Sequence, residues 1–433
     1  MRQVSKISCK TVIFVAFVLL ASAPLFASGF SIFEQSAKAS AQAGAWTARA
    51  DDAAANWYNP AAMVHQAASV QFGLNLITVG SDTDLTLDPL LGGSKISAES
   101  SIETPAQFYY VRPLNDTLTF GFGVNNPFGL VTEWADLPVT LSSKKASLAT
   151  YVINPNLAWK VNDNLSLAIG LDYMYADVSD FSRVIDQSAL LMQAPLTTLG
   201  ESNLTGDGDD FSFNVALHYK ADSWSLGLTY RGEMSPQIDG SVDFTGIAAP
   251  VAPLFPDGPG STTLNLPAQA SLGVAWDAGD DWAFEFDLDW AGWSSFESLA
   301  IDFQNETFAD PPANTIPVVA DITLPENWDD TFSYRFGAAW SFAEDKEFRF
   351  GALYDESPIP VSTMRPSIPD ADRTSVTFGY GWTSDKWGFD AYYMGLFFDD
   401  ITVPLNPLDP SVIPGTYSTF VNLLGATVSY RFQ

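Results

Sequence analysis

The chain has 433 residues, 14% of them aromatic, with 51 acidic side chains against 20 basic ones and a formal net charge of −31. So acidic a chain lacks the clustered Lys and Arg that a phosphate backbone needs, which excludes nucleic acid as a partner. Its aromatic and β-branched residues are too abundant for disorder, despite the charge.

Residues 1–27 read as an export signal. Arg2, Lys6 and Lys10 form a basic start, and Val12 to Ala23 is an unbroken apolar or small run. At about 12 residues it is too short to cross a bilayer as a helix, which needs about 20. Pro24 disfavours cleavage after Ala23, so the expected cut follows Ala27 and leaves Ser28-Gly29-Phe30 at the mature start. The single cysteine, Cys9, lies in the discarded piece. The mature chain then has no thiol for a disulfide or a cysteine-based metal site.

Residues 28–68 differ from all that follows. They are rich in Ala, Ser and Gln, with small residues recurring from Ala37 to Ala45. Ala favours helix, and small side chains let backbone lie close to backbone. Asn59-Pro60-Ala61 stops any helix, because a residue before proline is pushed to extended geometry. Two readings fit: a partly helical plug inside something larger, or a helical cap on a soluble β-domain. Asp51-Asp52 has no nearby third ligand and reads as a hydrogen-bonding feature, so neither metal nor cofactor is expected.

From residue 69 to 433 the chain alternates. Leu165, Leu167, Ile169, Leu171, Tyr173 and Tyr175 interleave with polar or small residues, as do Phe284, Phe286, Leu288 and Trp290. Period two means strands with one apolar face. A sandwich would show it too, but runs of about 9–11 residues suit a membrane barrel. Connections also switch strictly between tight (Pro113–Asp116, Asn162–Asn164, Ala221–Ser223) and long (Asn126–Lys145, Ser179–Asp209, Gln304–Asp329). That segregation is what periplasmic turns and outer loops produce. With Trp224–Phe244 taken as one strand bent at Pro236, the count is about 14, even as single-chain bacterial barrels require. The fold class expected is therefore an all-β, transmembrane antiparallel β-barrel with an N-terminal, partly helical plug. Both termini fall on the periplasmic side, so the plug folds back into the lumen.

Several motifs, in order, resemble those of the FadL-type outer-membrane channels of Gram-negative bacteria. They are Gly29-Phe30, Asp51-Asp52-Ala-Ala-Ala, Asn59-Pro60-Ala61, Asn126-Pro-Phe-Gly-Leu-Val-Thr-Glu-Trp134, Leu228-Thr-Tyr-Arg-Gly-Glu233, Leu264-Asn-Leu-Pro267, Trp293-Ser294, Tyr354-Asp-Glu-Ser-Pro-Ile-Pro360 and Pro366–Arg373. The resemblance covers essentially the whole mature chain. It implies a plugged 14-stranded barrel passing long-chain fatty acids, or alternatively neutral aromatic or aliphatic hydrocarbons, without an energy source. It also implies a pocket touched by the mature N-terminus (Phe30), a hatch gated at Asn59, Pro60 and Ala61, and a sideways exit at a kinked third strand. Here that strand, Thr117–Val124, runs into Asn126, Pro127, Phe128 and Gly129. Pro127 cannot donate to a ladder and Gly129 weakens it, so local unpairing is expected.

The stretch Val184 to Met192 has apolar positions at helical spacing. Val184, Leu190, Leu191 and the pliable Met192 are expected in an outer binding groove. Arg183 beside them is the candidate for meeting a carboxylate, with Arg365 as a second, because Asn305–Asp329 holds no Lys or Arg. An enzyme is disfavoured: the mature chain offers only His65 and His218, and no nucleophile motif accompanies them. The expected partners are a hydrophobic small molecule, outer-membrane lipid and lipopolysaccharide, and the chain is expected to act as a monomer.

Overall fold

A computed structural model describes residues 29–85, 94–310, 313, 315–406 and 409–432. The expected leader, its Cys9 and Gln433 lie outside the described residues. The chain forms a closed barrel of 14 antiparallel strands. In order they are β1 (Ser69–Asp84), β2 (Ala106–Pro113), β3 (Leu118–Asn125, resuming as Gly129–Glu133), β4 (Lys145–Lys160), β5 (Leu165–Asp186) and β6 (Leu199–Lys220). There follow β7 (Trp224–Arg231, then Gln237–Thr245), β8 (Gly258–Thr263, then Gln269–Ala278), β9 (Trp282–Ala291, then Ser298–Phe303) and β10 (Ile322–Pro325, then Thr331–Ala343). The last are β11 (Lys346–Asp355), β12 (Arg373–Thr383), β13 (Trp387–Phe398) and β14 (Gly415–Arg431). Closure is by β1 on β14, in register from Ser69↔Arg431 to Asp84↔Thr416.

Polarity runs inside out. On β5, Leu171 is 61% exposed while its neighbour Asp172 is wholly buried. Phe72, Ile169, Phe211 and Val376 face outward, whereas Asn154, Asn156, Asn214, Glu285, Asp287, Arg335 and Arg349 are buried. A sandwich would bury the first set; a barrel in lipid exposes it. Ring pairs such as Tyr219–Trp224, Trp282–Trp340 and Trp387–Tyr430 gather near the tight turns, as an interfacial girdle does.

The polar interior is filled by residues 29–68. Two one-turn helices, α1 (Ala37–Ser40) and α2 (Ala55–Tyr58), precede a 3-10 helix, Pro60–His65. Asn59, extended at φ −155°, ends α2 and starts the 3-10 turn, so the proline stops one helix and opens another. Wall side chains hold this plug from many sides. Asp287 accepts from the N–H groups of Trp46 and Thr47, and Glu285 from those of Ala48 and Arg49. His218 Nε2 lies 2.7 Å from the Ala48 carbonyl, so this histidine serves the plug. Close approach needs bare backbone on the wall: a Cβ on Gly351 of β11 would lie 2.4 Å from the Gln42 carbonyl carbon.

The wall itself is two-tiered on one side. β7, β8, β9 and β10 all break, at residues 232–236, 264–268, 292–297 and 326–330. The lower pieces pair with one another, and so do the upper pieces. Trp224–Phe244 is thus one crossing, as expected, but it is interrupted rather than merely bent. Pro236, Pro267 and Pro325 lie in or beside three of the breaks, where a missing N–H removes a ladder hydrogen bond. The freed groups are still satisfied: Ser235 N–H donates to Asp210, Ser294 N–H to Asp330, and Asn327 N–H to the Glu297 carbonyl. The lower pieces of β8 and β9, 10 residues each, are long enough to cross lipid, and that of β7, 8 residues, falls just short of the usual span. The upper pieces turn Asp239, Asp243 and Asp302 outward and stand above it.

Candidate functional site

Each break lets the chain step inward. Met234, Leu266, Trp293, Phe296 and Trp328 are thereby buried at one level inside the barrel. Phe30 sits among them, its ring centroid 5.1 Å from Trp293, 5.8 Å from Trp328 and 6.0 Å from Phe128. This aromatic knot is the floor of an apolar cavity of about 260 Å³ walled by the upper tier and by the outer parts of β3 to β6. Val242, Phe255, Ile301, Phe303 and Val319 form a buried cluster on its walls.

The knot also ties the N-terminal segment to β3. Ser31 bridges Phe128, Ile32 N–H donates to the Pro127 carbonyl, Gly129 N–H donates to the Phe30 carbonyl, and Gln35 Nε2 donates to the Asn126 carbonyl. Asn126–Phe128 are three residues set against two on β4, between the pairs Asn125↔Val152 and Gly129↔Ala149. The extra residue bulges. On the other side of β3 the pairing with β2 ends at Phe108↔Val124. Among the described residues, the chain preceding β2 next bonds β3 at the Ala98↔Trp134 bridge, through Glu99 N–H to the Glu133 carbonyl. Between these points, among the described residues, no ladder joins the two strands.

Of the residues expected in the groove, Phe30 and Arg183 both line the cavity. The helical expectation for Val184–Met192 is corrected: β5 stays extended to Asp186, and only Ser188–Met192 turn. Cross-strand pairing with β6 as far as Asp186↔Leu199 overrides the helical spacing. Leu190 and Leu191 pack behind the cavity's apolar cluster. Met192 is 97% exposed and does not line the cavity, nor does Val184. What brings Arg183 inward is a bulge. The register between β5 and β4 skips at Ser179, so the parity of the strand reverses beyond it. Phe181, Arg183 and Ile185 then face the cavity.

The two candidate arginines differ. Arg183 is exposed to the cavity and, among the described residues, its guanidinium has no ion-pair or hydrogen-bond partner. Arg365 is buried and fully engaged, by Glu326 and Asp409 at 2.9 Å each and by Ser411 Oγ at 2.8 Å. It clamps the outer loops together and has little left for a ligand. Nearby, Asp370 accepts from Gly29 N–H at 3.2 Å and from Ser357 Oγ at 2.9 Å. Burial lifts its carboxyl to about 6, against the pull of Arg373.

In the hatch motif, buried Asn59 caps its own turn by accepting from Ala61 N–H at 3.1 Å. It also donates to the Thr47 carbonyl at 2.7 Å and to that of Leu217 on β6 at 3.2 Å. Ser166 on β5 donates to the Ala61 carbonyl at 2.7 Å. Pro60 opens the 3-10 turn between these anchors. Asp51 is spent on Lys38 and Arg49, and Asp52 accepts from Ser36, Trp46 and Gln71.

A plugged barrel with an apolar chamber over an N-terminal aromatic stopper can be compared with known proteins. The sequence profile described as "Outer membrane protein transport protein (OMPP1/FadL/TodX)" matches residues 18–432. The chain belongs to this family. Its place is the bacterial outer membrane, and the family is one of transporters of hydrophobic compounds. The long-chain fatty acid transport protein of Escherichia coli K12 is 24% identical over 405 residues, covering 85% of this chain and 87% of that one. A putative outer membrane protein of Neisseria meningitidis is 23% identical and covers 98% of each chain. Among solved structures, a Pseudomonas aeruginosa FadL homologue superposes with a TM-score of 0.79 at 20% identity, covering 94% of this chain and all of that one. The Pseudomonas putida toluene transporter TodX gives 0.68 at 18% identity, covering 94% and 99%.

The FadL/TodX-type barrel contains site residues that the sequence reading passed over. Phe181, Phe296 and Trp328 line the cavity, and Trp293 supports its floor. The available signal was a tryptophan in or beside a proline- or glycine-broken strand pattern, twice over, at Trp293 and Trp328.

Proposed function

We propose that this channel passively takes up long-chain fatty acids. The observation that carries the reading is an apolar cavity edged by one uncommitted guanidinium, that of Arg183. A tail buried there gains about 25 cal/mol per Å² of apolar surface, and a charge-assisted hydrogen bond to the head adds about 1.5–3 kcal/mol. Relatives named as long-chain fatty acid transport proteins lend support. Ligand enters from the outer loops, passes Phe30 when the N-terminal segment shifts, and leaves sideways at Asn126–Gly129, where β2 and β3 are unpaired. Asn59-Pro60-Ala61 governs how firmly the hatch is held. The protein works as a monomer among lipopolysaccharide and lipid.

A second reading is uptake of neutral hydrocarbons. Its support is the engagement of Arg365 and the carboxylates of Asp180 and Glu326 along the same cavity. One experiment separates the two: binding of a long-chain acid and of its methyl ester to the parent and to Arg183→Ala. The fatty-acid reading expects the acid to lose about tenfold or more while the ester barely changes. Equal, weak effects on both would put the hydrocarbon reading first.

A further inference from the structure

Below the aromatic knot lies a second cavity, of about 120 Å³, between the plug and β6 to β10. The N-terminal segment is the partition: Phe30 lines the upper cavity, and Ser31, Ile32 and Phe33 line the lower. The two chambers differ in chemistry. The lower one is flanked by Arg231 and Arg335, each more than nine-tenths buried. Arg231 lies over the Trp57 ring at 3.6 Å, and Arg335 over the Phe33 ring at 4.1 Å. Two guanidiniums and one carboxylate, Asp289, are its charged lining groups.

Neither guanidinium is used up. Arg335 spends Nε on Asp289 and Nη1 on the Ala43 carbonyl. Among the described residues, its Nη2 has no acceptor. Arg231 spends Nη1 on Asp172 and Nη2 on the Trp57 carbonyl at 3.4 Å, and its Nε likewise has none. An arginine stacked on a ring keeps its edge free for a planar acceptor. A carboxylate leaving Arg183 must cross the ring cluster around Phe30, where nothing replaces its water. An uncompensated charge there is strongly disfavoured, so a donor set on the far side is what makes passage feasible. Pro127 also lines this chamber, which puts it beside the break in β3.

We infer that the lower chamber is a second, transit subsite that receives the carboxylate head of the ligand between Arg231 and Arg335 after it passes Phe30. The inference rests on the fatty-acid reading above. Its test pairs Arg335→Met with Asp289→Asn, which removes both charges together, and uses Arg335→Lys as the conservative variant. Palmitate binding to purified protein should stay within about twofold of the parent, because the upper cavity is intact. Palmitate uptake by cells should fall about tenfold or more in the double variant and partly recover in Arg335→Lys, while uptake of hexadecanol changes less than about twofold. Single-channel conductance should match the parent, showing the plug seated. Equal loss of acid and alcohol, or loss of neither, overturns the inference. If conductance rises, crystals of Phe30→Ala soaked with 2-bromopalmitate decide: anomalous bromine signal between Phe33 and Trp57 supports the subsite, and an empty chamber overturns it. A parent protein that takes up hexadecanol but no palmitate removes the fatty-acid reading, and the inference with it.

Discussion

Phe30 and Trp293 meet edge to face, with ring centroids 5.1 Å apart at 63°. One ring comes from the plug and the other from the broken β9, and together they close the floor of the apolar cavity. The contact exists only because Gly292–Glu297 leave the ladder and turn inward.

Removing that ring should be felt by any ligand in the cavity. Phe30→Ala deletes contacts with Trp293, Trp328 and Phe128, and the apolar surface it offers is worth about 1.5–3 kcal/mol when buried. The expected outcome is affinity about tenfold weaker for an acid and its ester alike, read by equilibrium binding. Unchanged affinity would show that the ligand does not rest on Phe30.

Asn59→Ala leaves the Ala61 N–H and the Thr47 and Leu217 carbonyls without their partner, costing about 1–3 kcal/mol. Deleting Asn59-Pro60-Ala61 goes further and removes the turn. Both variants should still run anomalously fast on gels unless boiled, since the ladder of the barrel is untouched. Uptake should fall, more for the deletion. Normal uptake at normal insertion levels would count against a gating role.

Deleting Pro127 sets two residues against two between Asn125↔Val152 and Gly129↔Ala149. The ladder of β3 should then run through without a bulge. The barrel should assemble and bind ligand as the parent does, but uptake into cells should drop severalfold. Retained uptake would place the exit elsewhere.

Asp370 makes the loop before β12 sensitive to pH. Its carboxyl sits at about 6 in the fold, raised by burial, against an ordinary 3.8. The folded state holds the proton more tightly, so the stability it contributes is full below about pH 4 and lost as pH rises through about 6. Hydrogen exchange in 356–372, corrected for intrinsic rate, should be slower near about pH 5 than about pH 8. Burial also lifts the carboxyls of Glu356 to about 7 and Asp372 to about 6 in the same segment, so Asp370→Asn should shrink the difference and leave their share; an unaltered pH response would exclude Asp370 as a source.

Much of this molecule is written in local pattern. Alternation along β5 and β9, the switching of short and long connections, and the Ala-rich stretch ahead of Ser69 specify a plugged barrel. The reason is that strand period, turn length and backbone bulk are local properties. Pro127, Pro236, Pro267 and Pro325 also mark broken strands, since a residue without an N–H cannot donate to a ladder, although Pro155 sits inside the unbroken β4. Other features belong to the tertiary structure. Arg183 faces the cavity because a bulge near Ser179 reverses the strand's parity, and one skipped residue leaves no trace in composition. Arg365, the second candidate, is occupied by Glu326 and Asp409, both distant along the chain. Trp293 and Trp328 are turned inward around Phe30 by four breaks at one height. Which face a side chain shows, and which partner has already claimed it, depends on register and on contacts between remote segments, and those are decided only when the barrel closes.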